Sequence, residues 1–226
     1  MPKTVLIIGA SRGLGLGLAR QFSSEGWQVI VTVRDPSRAS ELKATGARVE
    51  ALDITDSKSV EALAAQLSDT VLDILYINAG ISGSRQLSPD NASDDEIAQL
   101  FVTNAVAPVR LAKRMLSLVN PDSGVIVFMS SVMGSVETGA GMGMPLYGAS
   151  KAALNHLTRS FVAELEDGTG VGVISMHPGW VRTDMGGEEA PLDVETSCRG
   201  MVAQVTNALG QGGHRYIDYQ GHPLPW

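Results

Sequence analysis

The sequence is poor in cysteine, in long apolar runs and in positive charge. Cys198 is the only cysteine among 226 residues, so no internal disulfide forms and no thiolate cluster holds a metal. His156, His177, His214 and His222 have no metal-ligand spacing either. No apolar run reaches the roughly 18 residues that a spanning helix needs. The apolar stretch in "MPKTVLIIGAS" is too short for a signal peptide. The expectation is a cytoplasmic protein with no membrane partner. Lys and Arg number 17 against 24 Asp and Glu, a net charge of -7 with no basic run, which argues against a nucleic-acid partner. What is present is 44% hydrophobic and 18% charged residue, the balance of a globule and not of a disordered chain. The length suits one domain with its own core.

Apolar strand-like runs alternate with helical patterns. Strands are expected at Thr4–Ile8, Val29–Val33, Ala47–Leu52, Leu72–Ile77, Val125–Met129 and Val171–Met176, with a short one near Tyr216–Ile217. Helices are expected over Leu14–Ser24, Ser57–Leu67 (capped by Asp56 or Ser57), Asp94–Leu118 with a kink at Pro108, Leu146–Glu166 and Val194–Ala208. Strands apolar on both faces and separated by helices predict an α/β fold: one Rossmann-type doubly wound parallel sheet of about seven strands, with helices on both faces. Residues 137–145 and 183–193 read as loops beside the site.

The turn Gly9-Ala-Ser11-Arg12-Gly13-Leu14-Gly15 follows the first strand and opens the first helix. Glycines there permit a tight turn and close approach of a diphosphate, and the helix N-terminus offers free N–H groups. The spacing G-x-x-x-G-x-G departs from the usual dinucleotide fingerprint, so the strand–turn–helix context carries the reading. At the end of the second strand Val33 stands where an acid would hold the ribose of NAD, and Arg34 follows. Arg12 and Arg34 together could grip the 2′-phosphate of NADP(H). The alternative has Arg34 solvated and Asp35 as the ribose acid.

These residues, with others further on, resemble the short-chain dehydrogenase/reductase family along essentially the whole length from Gly9 onward. The landmarks run in order: the glycine turn, Asp53-Ile54, Asn78-Ala79-Gly80, Asn104 in a helix, Ser130-Ser131-Val-Met-Gly134, Tyr147-x-x-x-Lys151, and Pro178-Gly179-Trp-Val181-Arg-Thr183. The segment "PGWVRTDMGG" and the ending "LPW" are more closely similar to sniffer-type carbonyl reductases and bacterial C-factor proteins. The resemblance implies a nucleotide-binding half over about 1–120 and a catalytic and substrate part over about 121–226. It implies that Asp53 and Ile54 contact adenine and that Asn78, Ala79 and Gly80 line the ribose side. Val181 and Thr183 of the Pro178-Gly179 segment would hold the carboxamide and nearby phosphate. Asn104, Ser131, Tyr147 and Lys151 would be the catalytic four. Ser131 is preferred over Ser130 as the second of the family's serine pair, although its distance to Tyr147 is slightly longer than the family's spacing. A homodimer or homotetramer is also implied.

Tyr147 and Lys151, four apart on a helix, share one face. A nearby cation favours the phenolate and would lower the Tyr147 pKa, with an oxidised nicotinamide adding to the effect. Tyr147 could then pass a proton to a carbonyl oxygen, with Ser131 polarising that carbonyl and Lys151 on the nicotinamide ribose. Asn104 would hold a water linking Lys151 to solvent. The expected activity is NADPH-dependent reduction of a small aldehyde or ketone. The competing readings are a C-factor-like signalling module with little turnover and an NAD-linked alcohol dehydrogenase. Met133, Met142, Met144, Trp180 and Met185 line a pocket or fill loops and core, two readings the sequence leaves open.

Overall fold

The computed structural model describes residues 2–165 and 169–226. Seven strands form one parallel sheet: β1 (Thr4–Ile8), β2 (Gln28–Val33), β3 (Arg48–Ala51), β4 (Ile74–Ile77), β5 (Val125–Met129), β6 (Gly172–His177) and β7 (His214–Asp218). Their order is β3-β2-β1-β4-β5-β6-β7 and every pairing is parallel. The helices are α1 (Gly13–Ser24), α2 (Ser40–Ala44), α3 (Ser57–Gln66), α4 (Asp94–Phe101), α5 (Ala107–Met115), α6 (Pro145–Ala163) and α7 (Val194–Asn207). None of the described helices is long and apolar enough to cross a membrane.

The period of two along each strand divides the core. Val5, Ile7, Val29, Val31, Tyr76 and Val127 face one side, packed by Leu18 and Phe22 of α1 and Met201 and Val205 of α7. Leu6, Ile8, Ile30, Leu75, Ile126 and Phe128 face the other, packed by Leu63 of α3, Leu111 of α5, and Leu154 and Phe161 of α6. A sheet covered on both faces explains why the strands read as unbroken apolar runs.

Local chemistry sets most boundaries. Asp56 caps α3 by accepting from the Lys58 N–H, and Asp193 caps α7 by accepting from the Thr196 N–H. Ser93 and Glu96 form a reciprocal capping box at α4, whose first turn is acidic. The long helix expected from Asp94 to Leu118 is broken in a different way from a proline kink. Pro108 lies four residues past Asn104 and has no N–H, so the Asn104 carbonyl has no donor at the usual helical distance. The chain responds before the proline, with a π-helical segment at Val102–Val106 in which the Ala107 N–H reaches the Val102 carbonyl. Strand β4 begins at Ile74, two residues later than expected, while Leu72 makes an isolated bridge to Val119. The sequence reading missed α2 and the 3-10 turn Pro36–Arg38 before it. Helix α6 ends at Ala163, so its expected end falls short, and Glu166 lies outside the described residues.

The placement of α1 depends on Gly15. A Cβ there would lie 2.2 Å from the Gly9 carbonyl oxygen and 2.8 Å from Ala10 Cα. Both are backbone atoms and cannot step aside. Gly15→Ala must therefore push α1 off β1, an overpacking cost of about 1–3 kcal/mol. Thermal unfolding followed by circular dichroism should show a melting temperature lower by several degrees; an unchanged value would mean the helix has slack at this point.

Candidate active site

The strand order reverses between β1 and β4, and a cleft of about 660 Å³ opens there at the carboxyl ends of the strands. Its floor is the glycine turn. Gly9 has φ +85°, and a Cβ on it would lie 2.8 Å from Ala79 Cα, so this position needs glycine twice over. Asn78 Nδ2 donates to the Gly9 carbonyl at 2.6 Å, and the Gly9 N–H donates to Thr32 Oγ1 at 3.1 Å. Thr32 thus buttresses the turn, a role the sequence signals only through the register that sets it opposite Ile8. No side chain caps the N-terminus of α1, and its first turn holds no acid. Those N–H groups are available to an anion.

The cleft wall includes Gly9, Ser11, Arg12, Gly13, Leu14, Arg34, Asp53, Ile54, Asn78, Ala79, Gly80, Tyr147, Lys151 and Thr183 of the predicted cofactor residues. Gly15, Pro178, Gly179 and Val181 stand behind it. Gly15 is the packing glycine beneath the turn. A Cβ on Gly179 would press on Leu192 at 2.8 Å, Val181 is buried and bridges Leu192, and the Pro178 carbonyl accepts from Ser197 Oγ. These four support the wall from outside.

At the far end of β2, Arg34 is exposed and borders the cleft. Asp35 is outside the wall, and its carboxylate accepts from the Ser37 N–H and hydroxyl at 3.0 and 2.6 Å, capping the short turn that follows. Arg12 forms an ion pair with Asp184, a cleft residue the sequence reading did not single out. Both side chains are more than two-thirds exposed, so the pair is worth at most about 1 kcal/mol and yields readily to a stronger anion. Asp53 has its carboxyl held below the usual range by hydrogen bonds from the Thr55 hydroxyl and N–H.

The other end of the cleft holds Tyr147 and Lys151, on α6. Lys151 Nζ lies 5.7 Å from the centre of the Tyr147 ring and donates to the Met129 carbonyl at 2.8 Å. It is 3% exposed and makes no ion pair among the described residues. Burial brings its pKa down to about 8. Burial also drives Tyr147 up to about 12, with the Ser131 hydroxyl pulling the other way and Tyr216 adding to the rise. This corrects the expectation that the nearby cation would lower the Tyr147 pKa. Desolvation of the phenolate is the largest effect on the ring.

Ser131 precedes the 3-10 turn Val132–Gly134, and its Oγ accepts from the Met133 N–H at 3.2 Å. Ser130 Oγ is spent on Asn155 Oδ1 at 2.7 Å. Asn104 is fully buried and both ends of its carboxamide are bonded: Oδ1 accepts from the Ile81 N–H at 2.8 Å, and Nδ2 donates to the Ile81 carbonyl and to Ser150 Oγ. Ser150 Oγ in turn donates to the Tyr147 carbonyl. The Asn104 side chain therefore ties the loop after β4 to α6. Of the five residues considered for an apolar pocket, Met185 alone borders the cleft, while Met142 and Trp180 are exposed. Cys198 is buried on α7, as expected of a packed thiol, with its pKa pushed up to about 12.

Residues 3–192 match the model of the short chain dehydrogenase family. A carbonyl reductase from Pseudomonas aeruginosa PAO1, solved in complex with NADP, is 43% identical with a TM-score of 0.92, and each chain covers 100% of the other. The carbonyl reductase Sniffer of D. melanogaster is 31% identical with a TM-score of 0.88, again with full coverage of both chains. Among curated proteins, the C-signal of Myxococcus xanthus is 34% identical over 168 residues, which are 74% of this chain and 100% of that one. The match over most of the length, and the parallel sheet with its cleft at the β1–β4 reversal, make this chain a member of the short-chain dehydrogenase/reductase family of oxidoreductases.

Proposed function

We propose that the chain is an NADPH-dependent reductase of small aldehydes or ketones. The observation that carries this is one cleft with two different ends. At one end, the uncapped start of α1, Arg12 and Arg34 are suited to phosphate. At the other, Tyr147 and Lys151 line the wall, and the Ser131 hydroxyl, buried just outside it, bonds Tyr147. The cleft suits a dinucleotide in size, and its floor is a backbone cradle that a Cβ on Gly9 would obstruct. Asp35 is occupied as a cap, which favours the arginines as readers of the ribose end. The relatives named above include two carbonyl reductases, one holding NADP.

Bound NADPH supplies the hydride. The protein then has three tasks. Ser131, whose Oγ already accepts from the Met133 N–H, directs its proton outwards and polarises the substrate oxygen. Tyr147, its pKa raised by burial, keeps its proton across neutral pH and so stands in the acid form that reduction needs. Lys151, buried with no ion pair among the described residues, brings a positive charge beside Tyr147 once a polar ligand shares its solvation. The Asn104 carbonyl, denied a regular helical donor by Pro108, is the acceptor suited to a relay water; its side chain holds the loop.

A homodimer or homotetramer in the cytoplasm belongs to the same proposal. Val106 of the π-helical segment is 38% exposed and outside the cleft wall, apolar surface suited to a second copy. Light scattering after size exclusion should give a multiple of 23.8 kDa, and a monomer would remove this part.

Titration with NADPH and NADH, followed by nicotinamide fluorescence, should show a preference for NADPH. Arg34→Asp should weaken NADPH binding by about 10- to 100-fold, the worth of one charge-assisted contact plus a new repulsion, and spare NADH. Tyr147→Phe should bind NADPH normally and reduce aldehydes about 100- to 10,000-fold more slowly. A preference for NADH would favour an NAD-linked dehydrogenase, and no binding of either would favour a module without turnover.

Lys151 also makes a prediction about stability. Its folded pKa of about 8 lies below the ordinary 10.5, so between these values the unfolded chain binds the extra proton and stability rises with pH. Cys198 and Tyr147 have raised folded pKa values, so their contributions begin to fall near pH 9 and 10 respectively. The clean window is pH 8 to 9. There the wild type should gain stability in urea relative to Lys151→Met, and parallel curves would mean Lys151 is not desolvated.

A further inference from the structure

Tyr216 lies in β7, a strand that contributes nothing to the cleft wall, yet its hydroxyl reaches the catalytic loop. It is 3% exposed and donates a short hydrogen bond to the backbone carbonyl of Ser131. Two neighbouring groups make the same loop rigid. Ser130 Oγ donates to Asn155 Oδ1, and Asn155 Nδ2 donates to the Gly134 carbonyl at 3.3 Å. The Tyr216 hydroxyl also interacts with Ser130 and Asn155. The turn from Ser130 to Gly134 is thus gripped from α6 by Asn155 and from β7 by Tyr216.

Tyr216 is itself held. Its carbonyl accepts from the Leu224 N–H at 2.8 Å, after the chain turns back at residues 218–222, and Ile217 bridges Pro223. That return lays Trp226 on the Tyr216 ring, with centroids 5.1 Å apart. Arg159 of α6 covers the indole at 4.9 Å. A fold with no use for this phenol could place phenylalanine here, since the ring contacts alone would fill the space. The hydroxyl has one short bond, and its acceptor is Ser131.

We propose that Tyr216, braced by Trp226, is a positioning residue that fixes the backbone of Ser131 and so aims its hydroxyl at the substrate oxygen. The inference rests on the reading of Ser131 given above. Ser131 Oγ is anchored by the Met133 N–H, and its carbonyl accepts both from the Gly134 N–H at 2.8 Å, within the same turn, and from Tyr216, the one tie from outside that turn. Loss of the Tyr216 bond leaves the carbonyl held only by Gly134 of its own turn, so turn and Ser131 can shift together, and a misplaced donor loses value in the transition state while ground-state binding is kept.

The test is a double-variant cycle on benzaldehyde reduction with NADPH. Tyr216→Phe should lower kcat about tenfold, part of the roughly 100-fold cost of losing such a donor outright, with both KM values within about twofold. Ser131→Ala should be slower still, and adding Tyr216→Phe to it should cost nothing more. Trp226→Leu should show a weaker form of the same kcat loss. Should Tyr216→Phe fail to fold, Trp226→Leu decides: a kcat loss at constant KM supports the inference, and an unchanged kcat overturns it. Losses that multiply in the double variant would overturn it, as would an unimpaired Tyr216→Phe beside an impaired Ser131→Ala. Full activity of Ser131→Ala would instead remove the reading of Ser131, and this inference with it.

Discussion

The close contact of backbone with backbone at the start of α1 is the constraint on which the site depends. Gly15 lets the helix sit against the Gly9 carbonyl, and Gly9 lets the same turn lie against Ala79. Asn78 then bonds the Gly9 carbonyl, so the loop after β4 and the turn after β1 become one surface. A side chain at either glycine would separate them. The cleft is what remains above that surface, bounded by strand ends that the sheet order has already spread apart.

At the opposite end the difficulty is electrostatic. A lysine and a tyrosine are buried together with few polar partners, and each is pushed towards its neutral form. Such a pair contributes little to folding and costs something to keep. The surrounding polar groups are arranged to hold geometry instead: Asn104 to Ile81 and Ser150, Ser130 to Asn155, Tyr216 to Ser131. All are buried and bonded, so the turn and α6 keep one relative position.

Much of the fold was legible because both-face burial leaves a plain signal: an apolar run, a punctuating glycine, then a helix. Thr4–Ile8 and Val125–Met129 were found to the residue for that reason. Short α2 carries too few residues for a period to register, and it was missed. The π-helical segment was misread because proline announces a break without saying how the chain absorbs it. Residues in motifs were easy to name, but their environments were not. The direction of the Tyr147 shift depends on how much water burial removes, which spacing does not reveal. Asp184 and Tyr216 lie in no motif and reach the site only through tertiary packing.

The sheet order also has a consequence in time. Strand β1 is synthesised first and lies between two neighbours, β2 and β4. The first can pair at once, but Val5 waits for Ile74, and the ribosome must add nearly seventy residues before that edge is covered. Until then an apolar strand stands half-paired, in a topology whose distant pairings are intrinsically slow to form. The arrival of Ile74–Ile77 closes that edge, passes the open edge on to β4 until Val125 emerges, and creates the mouth in which a ligand can sit.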